Sequence, residues 1–277
     1  MTMVTFENKQ EFKMKIQGIH VHYELYENAG KPTMVLIHGF LSSTFSYRRL
    51  IPYLRNEYRI IAVDLPPFGQ SEKSIAFVYS YRNMAKVVIE LLKNLHVDDA
   101  ILVGHSMGGQ ISLYASKEMP EMFRKVVLLC SSGYMKRSHP SLIFGSYVPY
   151  FYLCIKHIMS RQGVWKNLCN VVYDHSLIDQ EMMDGYIQPF YDDRIFMALS
   201  RMIRDREGDL SAEDLRKIET PSLLIWGQED KVVPVQIGER MNKDLPNSHF
   251  FSLKNTGHLV PEERPDFVSE RIFEFCV

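Results

Sequence analysis

The stretch Ile101-Leu-Val-Gly-His-Ser-Met-Gly-Gly-Gln110 decides the fold of this chain of 277 residues. An apolar, β-branched run leads into Gly104-x-Ser106-x-Gly108, and a segment with helical character follows. A strand, tight turn and helix in this order lift a serine hydroxyl clear of the edge of a sheet. Glycines two residues before and after the serine remove Cβ atoms that would collide in such a turn. The stretch predicts a nucleophilic Ser106, although the same five-residue pattern also arises by chance in helix N-cap loops.

An earlier apolar run, Pro32-Thr-Met-Val-Leu-Ile-His-Gly-Phe40, predicts a buried strand that ends in a His-Gly turn. A serine that transfers acyl groups needs two N–H donors directed at the developing oxyanion. We expect them from Phe40, after the His-Gly pair, and from Met107, after the nucleophile. His38 is expected to brace the loop rather than to transfer protons. An ordinary turn at a strand end is the alternative interpretation of the His-Gly pair.

Asp230 is the predicted catalytic acid. It follows the apolar run Pro221-Ser-Leu-Leu-Ile-Trp226 and therefore lies beyond the carboxyl end of a strand, where α/β sheets carry their functional groups. Asp64 also ends a strand, but it precedes the serine, against the Ser…Asp…His order of this arrangement. We expect Asp64 to hold loops together. Glu229 is expected to be solvated, as most glutamates are.

His258 is the predicted catalytic base. The segment 248–258 gives a late strand, a short glycine-containing turn and this histidine, which follows both the predicted serine and the predicted acid. His105 adjoins the serine but is expected to point into its own turn. His20 and His22 alternate on an N-terminal strand, which fits a surface hairpin. The other histidines fall in a separate middle segment, at exposed ends of elements or in the braced loop.

Together these segments resemble the α/β-hydrolase superfamily over nearly the whole chain. The motifs that carry the resemblance are His38-Gly39-Phe40, Asp64-Leu-Pro-Pro-Phe-Gly-Gln-Ser71, the Gly-His-Ser-Met-Gly-Gly turn, Gly227-Gln-Glu-Asp230 and Gly257-His258-Leu-Val-Pro-Glu-Glu-Arg-Pro265. Within the superfamily the chain looks most like capped carboxylesterases, C–C hydrolases and cofactor-free haloperoxidases. Two departures are Pro67, where such proteins more often carry glycine, and His105, where C–C hydrolases carry asparagine. The resemblance implies an α/β fold: a mostly parallel eight-stranded sheet, helices on both faces and a helical cap.

The pattern of elements predicts where core and cap lie. After two N-terminal strands, apolar strand-like runs alternate with helical segments, notably 81–95 and 107–118, as in a mostly parallel sheet covered on both faces. This alternation stops after residue 133 and resumes near residue 221. We therefore predict an α/β core domain over residues 1–133 and 211–277, with the cap inserted over residues 134–210.

The composition of the cap predicts an apolar underside. Most of its aromatic residues are expected to form the cap's own core, and Phe144, Tyr147 and Trp165 are predicted to face the cavity over the serine. The segment 134–173 holds no acid and five bases, which are Lys136, Arg137, Lys156, Arg161 and Lys166. A solvated helix face is the simpler interpretation of this charge. An acidic acyl-carrier partner is the alternative.

Bulk composition excludes several classes of protein. The formal net charge of −1 gives no general attraction to nucleic acid or to an anionic membrane. The N-terminus has acids and no apolar core of a signal peptide, and no apolar run is long enough to span a bilayer. The four cysteines form no C-x-x-C pair, so free thiols and a cytoplasmic location are expected. No ligand spacing predicts a zinc site.

The resemblance implies two-step acyl transfer without metal or cofactor on a carboxylic ester with a small to medium, largely apolar acyl group. His258 would take the proton of Ser106, and Asp230 would orient the imidazole. Three alternatives stay open: C–C hydrolysis of diketone ring-cleavage products, cofactor-free perhydrolase or haloperoxidase chemistry, and a ligand-binding receptor. The serine argues against haloalkane dehalogenases and epoxide hydrolases, which need an aspartate there. The substrate and the oligomeric state stay open.

Overall fold

A computed structural model describes residues 9–276. Its centre is an eight-stranded sheet in the order β1-β2-β4-β3-β5-β6-β7-β8. The strands are β1 (Lys9–Ile16), β2 (Ile19–Tyr26), β3 (Thr33–Ile37), β4 (Arg59–Val63), β5 (Ala100–His105), β6 (Phe123–Leu129), β7 (Ser222–Gly227) and β8 (Ser248–Leu253). The pairs β1/β2 and β2/β4 are antiparallel, and all other neighbours are parallel. The predicted mostly parallel, eight-stranded α/β fold is confirmed.

Helices connect these strands in the described part of the chain. The α-helices are α1 (Ile51–Leu54), α2 (Tyr81–Asn94), α3 (Met107–Glu118), α4 (Pro140–Gly145), α5 (Phe151–Gln162), α6 (Val164–Val171), α7 (Gln180–Ile187), α8 (Arg194–Asp205), α9 (Ala212–Leu215), α10 (Val235–Asp244), α11 (Val260–Glu263) and α12 (Pro265–Cys276). Short 3-10 helices occupy Thr44–Tyr47, Pro120–Met122, His175–Leu177 and Gln188–Tyr191. None of the helices within residues 9–276 combines the length and the apolar character that a membrane span requires.

The central strands are buried on both faces, which explains their continuous apolar sequence. Every residue of β5 and of β7 is buried, because helices cover both sides of a parallel sheet. Helix α2 begins after Ser80, whose side chain accepts a hydrogen bond from the Asn83 N–H and so satisfies one of the free donors of the first turn.

All four cysteines are free thiols, as expected.

The register of the parallel strands brings the predicted functional loops to one edge. Ile37 of β3 and Leu128 of β6 both pair with Gly104 of β5, and Leu129 of β6 pairs with Ile225 of β7. The loops after these strands therefore leave the sheet side by side at its carboxyl edge, where functional groups of α/β sheets collect. The pairing of these strands thus decides which loops meet.

Between β6 and β7 the chain is helical and includes α4 to α8. The chain enters this segment near Met135 and leaves it near Asp209, and these two residues are hydrogen-bonded to each other. The Asp209 N–H donates to the Met135 carbonyl at 2.8 Å, and the Met135 N–H donates to Asp209 Oδ2 at 3.0 Å. This helical segment is called the cap below. Its division from the core at residues 134 and 210 stays a prediction.

One expectation about the N-terminal strands is wrong. His22 does not lie on a surface hairpin, because β2 also pairs with β4 and is an interior strand. Its side chain is buried, and its Nδ1 donates to Asp64 Oδ2 at 2.7 Å. His20, by contrast, is exposed as expected and contacts Glu72.

Candidate active site

The nucleophile turn has the geometry that its sequence predicts. Ser106 lies between β5 and α3 with φ 52° and ψ −119°, a backbone conformation that L-residues rarely adopt. Its N–H donates to the Leu129 carbonyl at 3.0 Å, and its carbonyl accepts from the N–H of Ser132 at 3.0 Å. These bonds to the end of β6 and to the loop beyond it hold the strained residue in place, as happens at functional sites.

The two flanking glycines are required by close packing. A Cβ on Gly104 would lie 2.4 Å from the Gly108 carbonyl oxygen, and a Cβ on Gly108 would lie 2.0 Å from the Ile37 carbonyl oxygen. Both distances are far below van der Waals contact, so any side chain would push α3 away from the sheet. The sequence pattern is therefore a packing requirement of this turn and not an accident of an N-cap loop.

The predicted oxyanion donors stand on either side of the serine. Met107 is the first residue of α3, so its N–H has no partner within the helix. Phe40 follows β3 in the neighbouring loop and lines the same cavity as Ser106. His38 braces this loop as expected, because its Nε2 accepts from the Leu65 N–H at 2.9 Å. Burial lowers the pKa of His38, which suits this neutral, structural role.

Asp230 and His258 form a close buried pair. His258 Nδ1 donates to Asp230 Oδ2 at 2.7 Å. The other carboxylate oxygen of Asp230 accepts from the N–H groups of Val232 and Val233 at 2.8 and 2.9 Å, which fixes the carboxylate. The backbone N–H of His258 donates to the Val171 carbonyl of α6 at 2.7 Å, so the cap also holds the loop of the histidine.

Ser106 and His258 line one cavity of about 410 Å³. Within residues 9–276, the side-chain hydrogen bonds of His258 include the one to Asp230 but none to the Ser106 hydroxyl. In unliganded hydrolases this bond is commonly long and tightens only when substrate excludes water. Ser106 and the carboxylate-oriented imidazole of His258 nonetheless line the same cavity.

His105 is a part of the site that sequence reasoning misplaced. It does not point only into its own turn: its ring lines the cavity, and its Nε2–H donates to the His258 carbonyl at 2.9 Å. Burial is the main cause and the nearby His258 the second cause of a pKa for His105 that is lowered to about 3, so the ring is neutral. The residue before Ser106 therefore anchors the backbone of the His258 loop.

The cap closes the cavity with one face of α6. Val164, Asn167, Leu168 and Val171 recur at helical spacings and line the cavity. Further lining residues are Met159, Asn170, Tyr186 and Phe190 from the cap, and Gly39, Leu41, Ser42, Val232 and Leu259 from the core. Apolar side chains dominate this set, which suits an apolar substrate group.

The predicted cavity aromatics lie elsewhere, and this part of the prediction is wrong. Phe144, Tyr147 and Trp165 are 77%, 65% and 53% exposed, and none lines the cavity that contains Ser106. Trp165 is one residue from Val164, which rotates it by about 100° to the outer face of α6. Tyr147 instead packs under the guanidinium of Arg204, 4.6 Å from the ring centre.

A buried charge cluster joins the cap to the core behind the cavity. The Tyr186 hydroxyl donates to Glu262 Oε1 at 3.2 Å, and the guanidinium of Arg48 contacts the same oxygen. Arg49 reaches from the core to the Leu177 carbonyl of the cap at 3.2 Å. Burial raises the pKa of Glu262 to about 7 against the opposing effect of the two arginines. No motif in the sequence signals this cluster.

Asp64 has the structural role that was expected of it. Its carboxylate accepts from the N–H groups of Thr44 and Gln70, both at 2.8 Å, and from the ring of His22. Three separate segments therefore meet on this one buried side chain. Burial is the largest single effect and acts to raise the pKa of Asp64. The hydrogen bonds and the neighbouring His22 and His38 together outweigh burial, so this pKa is lowered. The carboxylate holds loops and does not face the cavity with Ser106.

Comparison with known proteins identifies the class to which this chain belongs. Residues 32–151 and 171–265 match the family described as alpha/beta hydrolase fold, and the chain belongs to that family. It is 60% identical over 263 residues to "Uncharacterized hydrolase YugF" of Bacillus subtilis (strain 168), which covers 95% of this chain and 96% of that one. The family and this relative make the chain a hydrolase.

More distant relatives differ in the reactions that their names state. A 2-hydroxy-6-oxononadienedioate/2-hydroxy-6-oxononatrienedioate hydrolase of Paraburkholderia phymatum is 28% identical over 273 residues, with 93% of this chain and 91% of that one covered. The solved structure of the epoxide hydrolase CorEH has a TM-score of 0.78 at 24% identity, covering 96% of this chain and 98% of that one. The second likeness shows the fold alone.

Proposed function

We propose that this hydrolase cleaves carboxylic esters with a small to medium, largely apolar acyl group. The observation that carries the proposal is the strained Ser106 on the wall of an apolar cavity that also holds the His258–Asp230 pair. Serine in this position suits attack on an ester carbonyl. The aspartate nucleophile that epoxide hydrolysis would need is absent from this turn.

In the proposed mechanism His258 Nε2 takes the proton of Ser106 as the hydroxyl attacks the carbonyl carbon. Asp230 keeps the Nδ1–H tautomer in place and stabilises the imidazolium that forms. The N–H groups of Phe40 and Met107 hold the oxyanion. The imidazolium protonates the departing alcohol, and the neutral ring then activates water to release the acid from Ser106.

Turnover of p-nitrophenyl esters, from acetate to longer chains, tests the proposal. The wild type should hydrolyse them, and Ser106→Ala should lose about three orders of magnitude or more in kcat/KM while remaining folded. Ser116→Ala, which removes another buried serine hydroxyl of α3 farther from this turn, is the matched control. Near-native turnover by the folded Ser106→Ala protein would overturn the proposal.

C–C bond hydrolysis is the second candidate, because a relative named for that reaction matches over most of both chains. It would use the same serine, histidine and aspartate on a diketone ring-cleavage product. Parallel assays of a dienoate ring-cleavage product and of aryl esters separate the two. A kcat/KM for the dienoate well above that for every ester would favour this candidate.

The acidic acyl-carrier partner stays a prediction, with less support than the ester. One of the five bases, Lys156, pairs with Asp193 at 2.6 Å, and Arg137 donates to the Arg204 carbonyl at 2.9 Å. One acid and one backbone carbonyl from the second half of the cap therefore already bind two of the five basic side chains. Comparison of a free thioester with the same acyl group on a carrier protein would test it.

A further inference from the structure

Cys130 lies beside the Asp230–His258 pair. It follows β6, with its N–H bonded to the Ile225 carbonyl at 2.9 Å, and its side chain is fully buried. Its Sγ, a carboxylate oxygen of Asp230 and a ring nitrogen of His258 all lie within 4.8 Å of one another. The proposed ester mechanism uses Asp230 and His258 but gives no task to the thiol beside them.

These three donors are the types that zinc prefers: thiolate sulfur, imidazole nitrogen and carboxylate oxygen. With metal–ligand bonds of about 2.0–2.3 Å, ligands around one tetrahedral ion lie roughly 3–4 Å apart. The Asp230–His258 contact is 2.7 Å, and the other separations do not exceed 4.8 Å. Shifts on the order of 1 Å would therefore accommodate an ion with three protein ligands and one open position.

We propose that Cys130, Asp230 and His258 form an inhibitory site for Zn²⁺ and related transition-metal ions. The three residues are far apart in the sequence, which explains why no ligand spacing predicts the site. The inference rests on the proposed function for its effect on activity, but metal binding itself does not depend on it.

The proton balance explains why the bound ion would stop catalysis. Binding displaces the thiol proton of Cys130 to solvent, because the thiolate is the ligand. The Nδ1 of His258 must give up its proton to bind the ion, and a neutral imidazole then carries its proton on Nε2. An Nε2–H cannot accept the proton of Ser106. The metal therefore removes the base by fixing the wrong tautomer.

Cobalt binding tests the site without any substrate. Co²⁺ bound to a thiolate gives a charge-transfer absorption band in the near ultraviolet, and we expect this band in the wild type. Cys130→Ala should abolish it, with Cys130→Ser as a second variant in case one of them fails to fold. Cys154→Ala, which removes an exposed thiol, should leave the band unchanged.

Zinc inhibition is the second arm of the experiment. Cys130→Ala should raise the Zn²⁺ concentration for half-inhibition at least tenfold, Cys154→Ala should not, and a chelator should restore activity. No cobalt–thiolate band in the wild type, or a band and zinc sensitivity unchanged in folded Cys130 variants, would overturn the inference. Absence of ester turnover would instead contradict the proposed function, and the cobalt experiment would still show whether the metal site exists.

Discussion

The ring of His105 donates from Nε2 to the backbone carbonyl of His258 at 2.9 Å, so the residue before Ser106 holds the loop of His258. Removing this bond should loosen the loop without removing any reacting group. We expect His105→Phe to lower kcat about fivefold with little change in KM, since one buried hydrogen bond contributes about 1 kcal/mol. Ester kinetics measure both parameters.

His105→Gln is the matched control, because its amide can still donate to that carbonyl. It should recover part of the lost kcat. Equal kcat in His105→Phe and the wild type would show that the bond does not position His258.

Adjacent residues of α6 offer a test of the cavity wall. Val164 lines the cavity, whereas Trp165 is on the outer face of the same helix. Val164→Phe should lower kcat/KM roughly tenfold for the longest ester accepted and far less for acetate, since filling a pocket excludes additional methylene groups. Trp165→Phe should leave the chain-length profile unchanged. A profile altered by Trp165→Phe and not by Val164→Phe would contradict this geometry.

The Arg48–Glu262 pair should contribute strongly to the free energy of unfolding. The Glu262 side chain has no exposed surface and Arg48 only 10%, so Arg48→Ala leaves a buried carboxylate that lacks its closest partner. At pH 8 we expect a loss of about 3 kcal/mol in the free energy of unfolding. Lys31→Ala, which breaks the exposed Lys31–Glu57 pair of 2.8 Å, should cost less than about 1 kcal/mol. Denaturant unfolding compares the two, and equal losses would refute the prediction.

Asp209 should make stability depend on pH. Burial raises its pKa from 3.8 to about 6, so the folded protein binds more protons there than the unfolded chain between those values. Stability contributed by the neutral carboxyl is therefore lost as the pH rises through about 4 to 6. Asp209→Asn, which keeps an oxygen for the Met135 N–H, should be about 1–3 kcal/mol more stable at pH 7.5.

Thermal unfolding from pH 4 to pH 8 measures this effect as a difference between the two proteins. The advantage of the Asn variant should shrink towards pH 4. If the difference in stability between the two proteins does not change with pH, the gain does not come from the ionisation of Asp209.

Structural features that depend on residues adjacent in the chain can be predicted from the sequence. The α3 helix spans Met107–Glu118 as expected, and the strained turn before it follows from glycines whose missing Cβ atoms are a local requirement. A mostly parallel sheet is also predicted from the alternating pattern, and the carboxyl ends of its strands share one edge, where the loops that carry Ser106, Asp230 and His258 are expected to meet.

The sequence does not predict what depends on packing between elements. Helix α6 has only eight residues, and apolar side chains lie on both of its sides, so its pattern cannot say that Val164 and not Trp165 faces the cavity. The alternation around His22 is correctly read as a strand, but burial there comes from the second neighbour, β4. Cys130 ends the apolar run Val126-Val-Leu-Leu-Cys130, and only the fold brings it beside Asp230.

Covalent labelling of the serine tests the central claim most directly. A dialkyl p-nitrophenyl phosphate should phosphorylate the wild type once per chain, on the peptide that contains Ser106, because His258 activates that hydroxyl. A folded His258→Gln variant should label at least about a hundredfold more slowly, since general-base assistance contributes that much or more. Peptide mass spectrometry that finds the adduct on another residue, or equal labelling rates in the two proteins, would contradict the account.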